Sequence, residues 1–202
     1  MLVIVDYGVG NLFSLKSSLK KIGVKAVVSG DKAVIESATK IILPGVGAFG
    51  DASKKLKETG LDKVIINMAK KGVPAMGICL GMQLLFDRSF EYGEHQGLGL
   101  ISGEIRPISE VIPKNYKVPH IGWNALNFKK NSVLHKYIKE GDYVYFVHSF
   151  YATNCFGSVV ATSEYGHELT ATVESGNVYG CQFHPEKSGD VGLNILKAFC
   201  EL

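Results

Sequence analysis

The sequence predicts an α/β fold with a mixed sheet, and three observations carry that prediction. The N-terminal half alternates short apolar runs with segments of helical periodicity, which is typical of βαβ units around a parallel sheet. The C-terminal half changes to closely spaced strands separated by turn sequences, which predicts antiparallel pairing. The chain has 202 residues, of which 46% are hydrophobic and 20% charged, so we expect one domain spanning 1–202.

In the N-terminal half, the segment 11–22 shows how the elements are recognised. Leu12, Leu15 and Leu19 recur at helical spacing, Asn11 precedes them as an N-cap, and Gly23 follows as a C-terminal stop. By the same criteria, we predict strands at 2–6, 25–28, 40–43 and from residue 73, and further helices at 31–38, 51–58 and 61–71.

The C-terminal half begins with a polar, glycine-rich loop at 91–99. Strands follow at 100–108, 121–128, 143–150, 158–163, 169–173 and 178–183, and a closing helix at 191–202. We expect these strands either to extend the edge of the parallel sheet or to pack over it as a lobe.

Composition and charge argue against several classes of protein. The net charge is only +3, and no dense basic run suggests nucleic-acid binding. The four cysteines are far apart and form no C-x-x-C pair, so neither a zinc site nor a disulfide framework is expected. No apolar run reaches the roughly 18 residues of a membrane span. We expect a cytoplasmic chain without metal or cofactor.

The stretch 73–86 contains the strongest candidate for chemistry. An apolar strand is followed by Gly77, Cys79 and Gly81, and then by leucines at helical spacing. A nucleophile at a sharp strand-to-helix turn needs small residues two before and two after it, because the two backbones nearly touch there. The helix N-terminus favours thiolate over thiol, and the Leu80 amide could donate to an oxyanion. A buried structural cysteine is the alternative interpretation.

A second glycine-rich stretch follows the third predicted strand. Gly45, Gly47 and Gly50 match the dinucleotide-binding string G-x-G-x-x-G, but that motif belongs after the first strand, with an acidic residue about 20 residues later. A pair of lysines stands there instead. Loops at the carboxyl ends of parallel strands form ligand sites, so we expect the amide of Val46 or Gly47 to act as a second oxyanion donor.

A nucleophilic cysteine requires a base, and His184 is the strongest of the six histidines. It ends the last predicted strand and is followed by Pro185 and Glu186. Proline should hold this segment extended, so that residues 184 and 186 project to one side and the carboxylate orients the imidazole. We expect His95 and His135 to be solvated, His167 to lie near a turn, and His120 and His148 to be packed structural histidines.

Two motifs carry a resemblance to a known family. The sequence G-I-C-L-G-M-Q at 77–83, followed by F-H-P-E at 183–186, resembles the class I (triad) glutamine amidotransferases in both motifs and in their order. Three further stretches resemble the glutaminase subunits of imidazole glycerol phosphate synthase: L-P-G-V-G-A-F at 43–49, P-H-I-G-W-N at 119–124 and K-S-G at 187–189.

The resemblance implies a fold, a reaction and a site. The fold would be a three-layer α/β/α, flavodoxin-like arrangement with added antiparallel strands in the C-terminal half. The reaction would be hydrolysis of L-glutamine to glutamate and ammonia through a cysteinyl thioester. Catalytic roles would fall to Cys79, His184 and Glu186, oxyanion binding to Val46 or Gly47 and to Leu80, and substrate binding to Gly47, Gln83, His148, Ser149 and Phe150.

The resemblance also implies a partner that uses the ammonia. That partner would be a (β/α)8 cyclase subunit in a heterodimer, with Asn11, Trp123 and Lys187 near the interface. Three alternatives remain open: a glutaminase serving an anthranilate-type or sugar-amidating synthase, a peptidase or γ-glutamyl hydrolase of the same fold, and a non-catalytic α/β binding module.

Overall fold

In the computed structural model, which describes residues 1–202, the N-terminal half forms a parallel sheet flanked by helices. Its strands are β1 (Leu2–Val5), β2 (Ala26–Ser29), β3 (Lys40–Leu43) and β4 (Ala75–Ile78). Its helices are α1 (Leu12–Lys21), α2 (Lys32–Glu36), α3 (Phe49–Thr59), α4 (Leu61–Lys70) and α5 (Leu80–Leu84). The strand order β2-β1-β3-β4 is parallel throughout, which confirms the predicted βαβ units.

The predicted capping residues act as expected at both ends of α1. The side chain of Asn11 accepts a hydrogen bond from the Ser14 amide at 3.3 Å, which satisfies one of the unpaired donors of the first turn. Gly23 follows the helix with a φ of +80°, a conformation that glycine adopts without steric cost. The chain can therefore turn sharply from α1 into β2.

In the C-terminal half, some strands extend the main sheet and the others form sheets of their own. Its strands are β5 (Phe86–Ser89), β6 (His95–Gln96), β7 (Ile101–Pro107), β8 (His120–Ala125), β9 (Asn127–Phe128), β10 (Tyr143–His148), β11 (Phe150–Thr153), β12 (Val159–Glu164), β13 (Glu168–Ser175) and β14 (Val178–Cys181). The last helix is α6 (Gly189–Cys200). Strands β14, β13, β12 and β9 extend the main sheet, whereas β11-β7-β5-β6 and β10-β8 form two separate sheets.

Several predicted boundaries in this half are wrong. The helix after Cys79 ends at Leu84, and Phe86 begins β5 instead of extending the helix. The predicted loop 91–99 contains β6. The predicted strands 121–128 and 143–150 are each divided in two, the second at Ser149. Strand pairing over long distances decides these breaks, and local sequence carries little information about it.

Both faces of the main sheet are covered, which confirms the three-layer prediction. Alternate residues of β1 point to opposite sides. Val3 and Val5 belong to a buried cluster of 27 residues that includes residues of α2, α3 and α4. Leu2 and Ile4 belong to a second cluster of 21 residues that includes residues of α1 and α6. None of the helices combines the length and the apolar character that crossing a membrane requires.

Candidate active site

Cys79 sits at a strained corner directly after β4. Its φ of 54° and ψ of −113° lie in a region that non-glycine residues rarely adopt. A Cβ on Gly77 would lie 2.5 Å from the Gly81 carbonyl oxygen, and a Cβ on Gly81 would overlap the Leu43 carbonyl oxygen. The predicted contact between strand and helix backbones is therefore confirmed for Gly77, whereas Gly81 must be small because the end of the neighbouring strand β3 lies against it.

The neighbour of β4 in the sheet brings a histidine to the same edge. Strand β14 pairs with β4 in parallel, with Cys181 opposite Ile78, and the Cys79 amide donates to the Cys181 carbonyl at 2.8 Å. His184 lies three residues after the end of β14. Since parallel strands end at a common edge, the pairing brings the imidazole to the edge that carries Cys79.

His184 contacts a carboxylate, although not in the expected way. Its Nδ1 lies 2.8 Å from Oε1 of Glu186, and both side chains are only 3% exposed. The segment Pro185–Lys187 forms a 3-10 turn, so the prediction of an extended His-Pro-Glu segment is wrong. The turn wraps the carboxylate back to the ring, and a hydrogen bond from Ser188 Oγ to the His184 carbonyl at 2.7 Å closes it.

The surroundings of His184 favour its charged form. Burial by itself lowers the pKa of this histidine, but its interactions with the Cys79 sulfur and with Glu186 outweigh burial and raise the pKa to about 9. His184 is therefore an imidazolium at neutral pH. Glu186 Oε2 is buried and has no hydrogen-bond partner.

The other histidine near Cys79 is unsuited to proton transfer. His148 Nδ1 lies 2.8 Å from the Phe150 carbonyl oxygen, which can only accept, so this nitrogen carries the proton. His148 Nε2 lies 3.0 Å from His120 Nδ1. Burial lowers the pKa of His148 to about 3, so the ring is neutral. His120 and His148 are both buried, as the prediction of packed structural histidines requires.

One histidine prediction is wrong. Lysines surround His135 in sequence, which predicts a solvated side chain, but the ring is buried and stacks on Phe128 with a centroid distance of 4.1 Å. Its Nε2 lies 3.2 Å from Thr172 Oγ1, and burial lowers its pKa to about 4. The flanking lysines lie outside the core while the ring between them turns inward, so local charge was misleading.

A cavity of about 390 Å³ lies over Cys79 and His184. Its lining contains all but one of the residues expected for catalysis, oxyanion binding and substrate binding. These are Val46, Gly47, Cys79, Leu80, Gln83, His148, Ser149, Phe150 and His184. Lys187, expected near the partner interface, also lines the cavity. Glu186 stands behind His184 instead, while Asn11 lines a smaller cavity with Val46 and Glu186.

Sequence reasoning missed several residues of this site, of which Glu91, Tyr92 and Gln182 are the polar ones. Glu91 and Tyr92 line the cavity, and Glu91 Oε2 accepts from the Phe49 amide at 2.7 Å. That hydrogen bond lowers the pKa of Glu91, but burial outweighs it, so the pKa is raised. Gln182 contacts Cys79 from behind, with Nε2 at 3.8 Å from Sγ. A polar residue inside the apolar run 178–183 was the available signal for Gln182.

The glycine-rich loop after β3 is tightly packed at Gly45 and unconstrained by neighbours at Gly47. A Cβ on Gly45 would lie 2.7 Å from the Gly81 nitrogen, and Tyr7 Oη donates to the Pro44 carbonyl at 2.9 Å. Gly47 has a φ of +92° and nothing within 4 Å of the position of a Cβ. The Val46 and Gly47 amides donate no hydrogen bond within the protein. Both amides are therefore available to a ligand.

Gln83 lines the cavity with one end of its amide already engaged. Its Nε2 donates to the Phe150 carbonyl at 3.2 Å and to Gln182 Oε1 at 3.0 Å. The side-chain oxygen of Gln83, Oε1, has no partner within the protein. Only an acceptor is therefore left for a ligand at this position.

Comparisons with known proteins agree with this arrangement. Residues 3–201 match the family model described as glutamine amidotransferase class-I, and the chain belongs to that family. It is similar over its whole length to a protein named imidazole glycerol phosphate synthase subunit HisH from Wolinella succinogenes, at 48% identity with 100% of both chains covered. A protein of the same name from Aquifex aeolicus is 49% identical over 98% of this chain and 94% of its own.

Solved structures support the fold independently. A crystal structure described as a glutamine amidotransferase superposes with a TM-score of 0.76 at 21% identity, covering 98% of both chains. The structure of PurLQS from Thermotoga maritima also gives a TM-score of 0.76, at 23% identity, covering 99% of this chain and 97% of that chain. These likenesses confirm the predicted class I glutamine amidotransferase fold.

Proposed function

We propose that this chain is the glutaminase subunit of an imidazole glycerol phosphate synthase, which hydrolyses L-glutamine and supplies ammonia to a synthase subunit in histidine biosynthesis. The contact of His184 with buried Glu186, beside the Cys79 sulfur and under an open cavity, is the observation that carries the reaction. The name shared by the full-length relatives at 48% and 49% identity carries the pathway.

In the first half of the reaction, Cys79 reacts as its thiolate, and the sulfur attacks the side-chain amide carbon of glutamine. The carbonyl π electrons move onto oxygen, and that oxyanion accepts hydrogen bonds from the Leu80 amide and from the amide of Val46 or Gly47. His184 carries a proton at neutral pH because its pKa is raised to about 9. It gives this proton to the leaving nitrogen, the C–N bond breaks, and ammonia departs.

In the second half, neutral His184 takes a proton from water, and the resulting hydroxide attacks the glutamyl thioester. The C–S bond breaks, glutamate leaves, and the sulfur returns to its starting state. Glu186 holds the ring through Nδ1 at 2.8 Å and stabilises the imidazolium, while Nε2 exchanges the protons. The neutral ring of His148 takes no part.

The charged end of the substrate has matching groups in the cavity. Glu91 is the acidic residue of its lining and can receive the α-ammonium group of glutamine. Gln83 offers the same group its unpartnered carbonyl oxygen. Lys187, exposed at the cavity's edge, can attract the α-carboxylate. The peptide around Ser149 completes the wall between these groups.

The ammonia requires a consumer, and we place its docking surface around Trp123. Trp123 is 52% exposed and packs edge-on against Tyr145, with ring centroids 5.9 Å apart. Lys187 Nζ lies 6.0 Å from the same ring, and the Tyr145 carbonyl accepts from the His184 amide at 3.0 Å. A partner that buries this surface, a (β/α)8 cyclase in our proposal, would thus lie next to the catalytic histidine.

Phe13 on α1 is a second exposed aromatic residue that we assign to the partner interface. It is 83% exposed and lies two residues after Asn11, whose cavity also holds Glu186. Exposed aromatic side chains are enriched in protein interfaces.

We place the heterodimer in the cytoplasm, since all four cysteines are free thiols, as in a reducing compartment.

An electrophilic glutamine analogue tests the proposed chemistry. We expect it to alkylate Cys79 stoichiometrically in the wild type, with peptide mapping to locate the label. Cys79→Ser should fold normally yet lose both labelling and ammonia release, because a hydroxyl is a far weaker nucleophile than a thiolate. Cys200→Ser is the matched control, because Cys200 is half-buried in α6. Substantial glutamine hydrolysis by folded Cys79→Ser would refute the assignment.

Co-purification distinguishes the partners. A tagged chain should retain a cyclase subunit, and Trp123→Ala should weaken that complex without affecting labelling of Cys79. Retention of an anthranilate-type or sugar-amidating synthase instead would refute the pathway but preserve the reaction. Hydrolysis of γ-glutamyl peptides faster than glutamine would favour a peptidase of the same fold.

A further inference from the structure

Gln182 is a polar residue in a place where the sheet is otherwise apolar. It follows β14 and stands between Cys181 and Phe183, and all three side chains are completely buried. The backbone amide of Gln182 donates to the Ala171 carbonyl of β13 at 2.8 Å, and this hydrogen bond holds the backbone in place. Burying a side-chain amide is unfavourable unless both of its ends find partners. The partners of Gln182 therefore indicate why it is there.

Both partners belong to the active site. Nε2 of Gln182 donates to the Cys79 sulfur at 3.8 Å, and Oε1 accepts from Gln83 Nε2 at 3.0 Å. Gln182 does not line the cavity, so it does not reach a bound substrate. It approaches the sulfur from the protein interior, whereas His184 and the oxyanion donors face the cavity.

The polarity of these two contacts is determined by the wider network. Gln83 Nε2 also donates to the Phe150 carbonyl at 3.2 Å, so it is the donor in its contact with Gln182. Gln182 must then present its oxygen to Gln83, and its NH₂ group is left facing Cys79. The amide cannot flip without placing two NH₂ groups against each other. A donor is therefore permanently directed at the nucleophile.

We propose that Gln182 is a positioning residue for the nucleophile, holding the Cys79 sulfur toward the cavity and stabilising its thiolate through Nε2. This inference rests on the proposed glutaminase function. A hydrogen bond to a charged acceptor is stronger than one between neutral groups. Removing the donor should therefore reduce the thiolate fraction and the rate of attack, and should affect kcat more than KM.

The test compares Gln182→Met, Gln182→Glu and the wild-type chain. Met has similar length but no donor, whereas Glu keeps an acceptor for Gln83 and turns a second acceptor toward the sulfur. Each variant is alkylated with iodoacetamide between pH 5 and 9, and mass spectrometry locates the product on Cys79. This rate follows the thiolate fraction and needs no glutamine turnover, so the result does not depend on the proposed reaction.

We expect alkylation of Gln182→Met near neutral pH to fall roughly tenfold, the lower end for loss of a charge-assisted hydrogen bond, with its midpoint moved to higher pH. Gln182→Glu should fall further, because a carboxylate repels the thiolate. If Gln182 only supported Gln83, the order would reverse, because Glu still accepts from Gln83 and Met does not. That reversed order, or a wild-type profile in Gln182→Met, would overturn the proposal.

Thr172→Val is the matched control. Thr172 lies on β13 opposite Cys181, is completely buried, and bonds to His135 at 3.2 Å. Its replacement loses one buried hydrogen bond next to the site without touching Cys79. We expect a comparable loss of stability and an unchanged alkylation profile. A shift in this control equal to that of Gln182→Met would show that the profile reports general loosening, and would also overturn the proposal.

Discussion

Two glycine-rich corners meet over the same cavity, and they differ in freedom. At the corner 77–81, a methyl group on either flanking glycine would collide with backbone, and Cys79 is held at a positive φ of 54°. In the loop 44–50, Gly47 also has a positive φ, but a methyl group there would meet nothing within 4 Å. Cys79, the proposed nucleophile, is therefore fixed, whereas the peptide between Val46 and Gly47, a proposed oxyanion donor, can turn.

The difference separates two requirements of the proposed reaction. An attacking sulfur must be preorganised, because misplacement by about 1 Å can reduce the rate 10²-fold. An oxyanion donor matters only at the transition state and can be aimed later. A chain built this way can bind glutamine while withholding full hydrolysis until the loop is aligned.

The largest effect on folding stability is expected at the fixed corner. Gly81→Ala should destabilise the chain by about 3 kcal/mol, at the upper end for overpacking, because the added methyl group meets the Leu43 and Pro44 backbone. Denaturant unfolding measures the loss. Gly157→Ala is the control, since a methyl group there meets nothing within 4 Å. Equal stability of the two variants would contradict the description of the corner as fixed.

The catalytic pair should show a large but unequal effect. His184→Ala should reduce glutamine hydrolysis by roughly 10⁴, the upper end for loss of an acid–base residue, because the proton has no other carrier. Glu186→Gln should cost roughly 10², because the amide oxygen can still accept from Nδ1. Rates are compared in the presence of the synthase partner. Equal and mild losses would place the base elsewhere, with His148 the next residue to test.

The pH profile tests the charge on His184. Because its pKa is raised to about 9, the imidazolium is present at neutral pH and is lost as the pH rises through about 9. The rate of glutamine hydrolysis should therefore fall on the alkaline limb of the pH profile, as the pH rises through about 9. Glu186→Gln removes a negative charge that raises this pKa, so its limb should move to lower pH by about one unit. Glu201→Gln, which removes a carboxylate on Lys136, should leave the limb in place.

Local sequence predicted the fixed corner better than the rest of the site. The spacing of Gly77, Cys79 and Gly81 is a short motif and is visible in sequence: Gly77 is constrained locally by the Gly81 backbone, whereas the contact of Gly81 with Leu43 is long-range. The contact of His184 with Glu186 was also predicted, although the 3-10 turn that makes it was not. Helix boundaries in the N-terminal half followed from apolar periodicity and capping residues.

Long-range pairing limited prediction in the C-terminal half. No local pattern indicates that β14 lies parallel to β4, yet that pairing brings Cys79 and His184 to one edge. Glu91 is bonded across 42 residues to Phe49, and Gln182 across 99 residues to Gln83. Their roles depend on partners that are distant in sequence, so composition and periodicity could not reveal them.

A synthase partner should change the loop and leave the corner as it is. We expect the isolated chain to hydrolyse glutamine roughly 10²–10³ times more slowly than the complex with its cyclase and nucleotide ligand, the factor for one missing oxyanion donor. Iodoacetamide labelling of Cys79 should differ little between the two. By linkage, a transition-state analogue of glutamine hydrolysis should tighten cyclase binding. Equal hydrolysis rates would refute regulation through the loop while sparing the catalytic assignment.

The smallest effect is expected at Gly47, and it tests the loop directly. Rotation of the peptide between Val46 and Gly47 changes φ of Gly47, so the value of +92° in the isolated chain reports the resting orientation of that amide. Alanine disfavours positive φ by roughly 1–2 kcal/mol, which weakens the resting orientation by about tenfold. Gly47→Ala should therefore raise basal hydrolysis up to about tenfold and reduce stimulation by the partner by the same factor.

Gly141→Ala provides the control for this last change. Gly141 has a φ of +88° and, like Gly47, nothing within 4 Å of the position of a Cβ. Both substitutions should thus cause the same loss of stability, but only Gly47→Ala should alter hydrolysis. Measuring ammonia release with and without the partner separates the two variants. Unchanged rates in Gly47→Ala, with the expected loss of stability, would mean that the orientation of this peptide does not control the reaction.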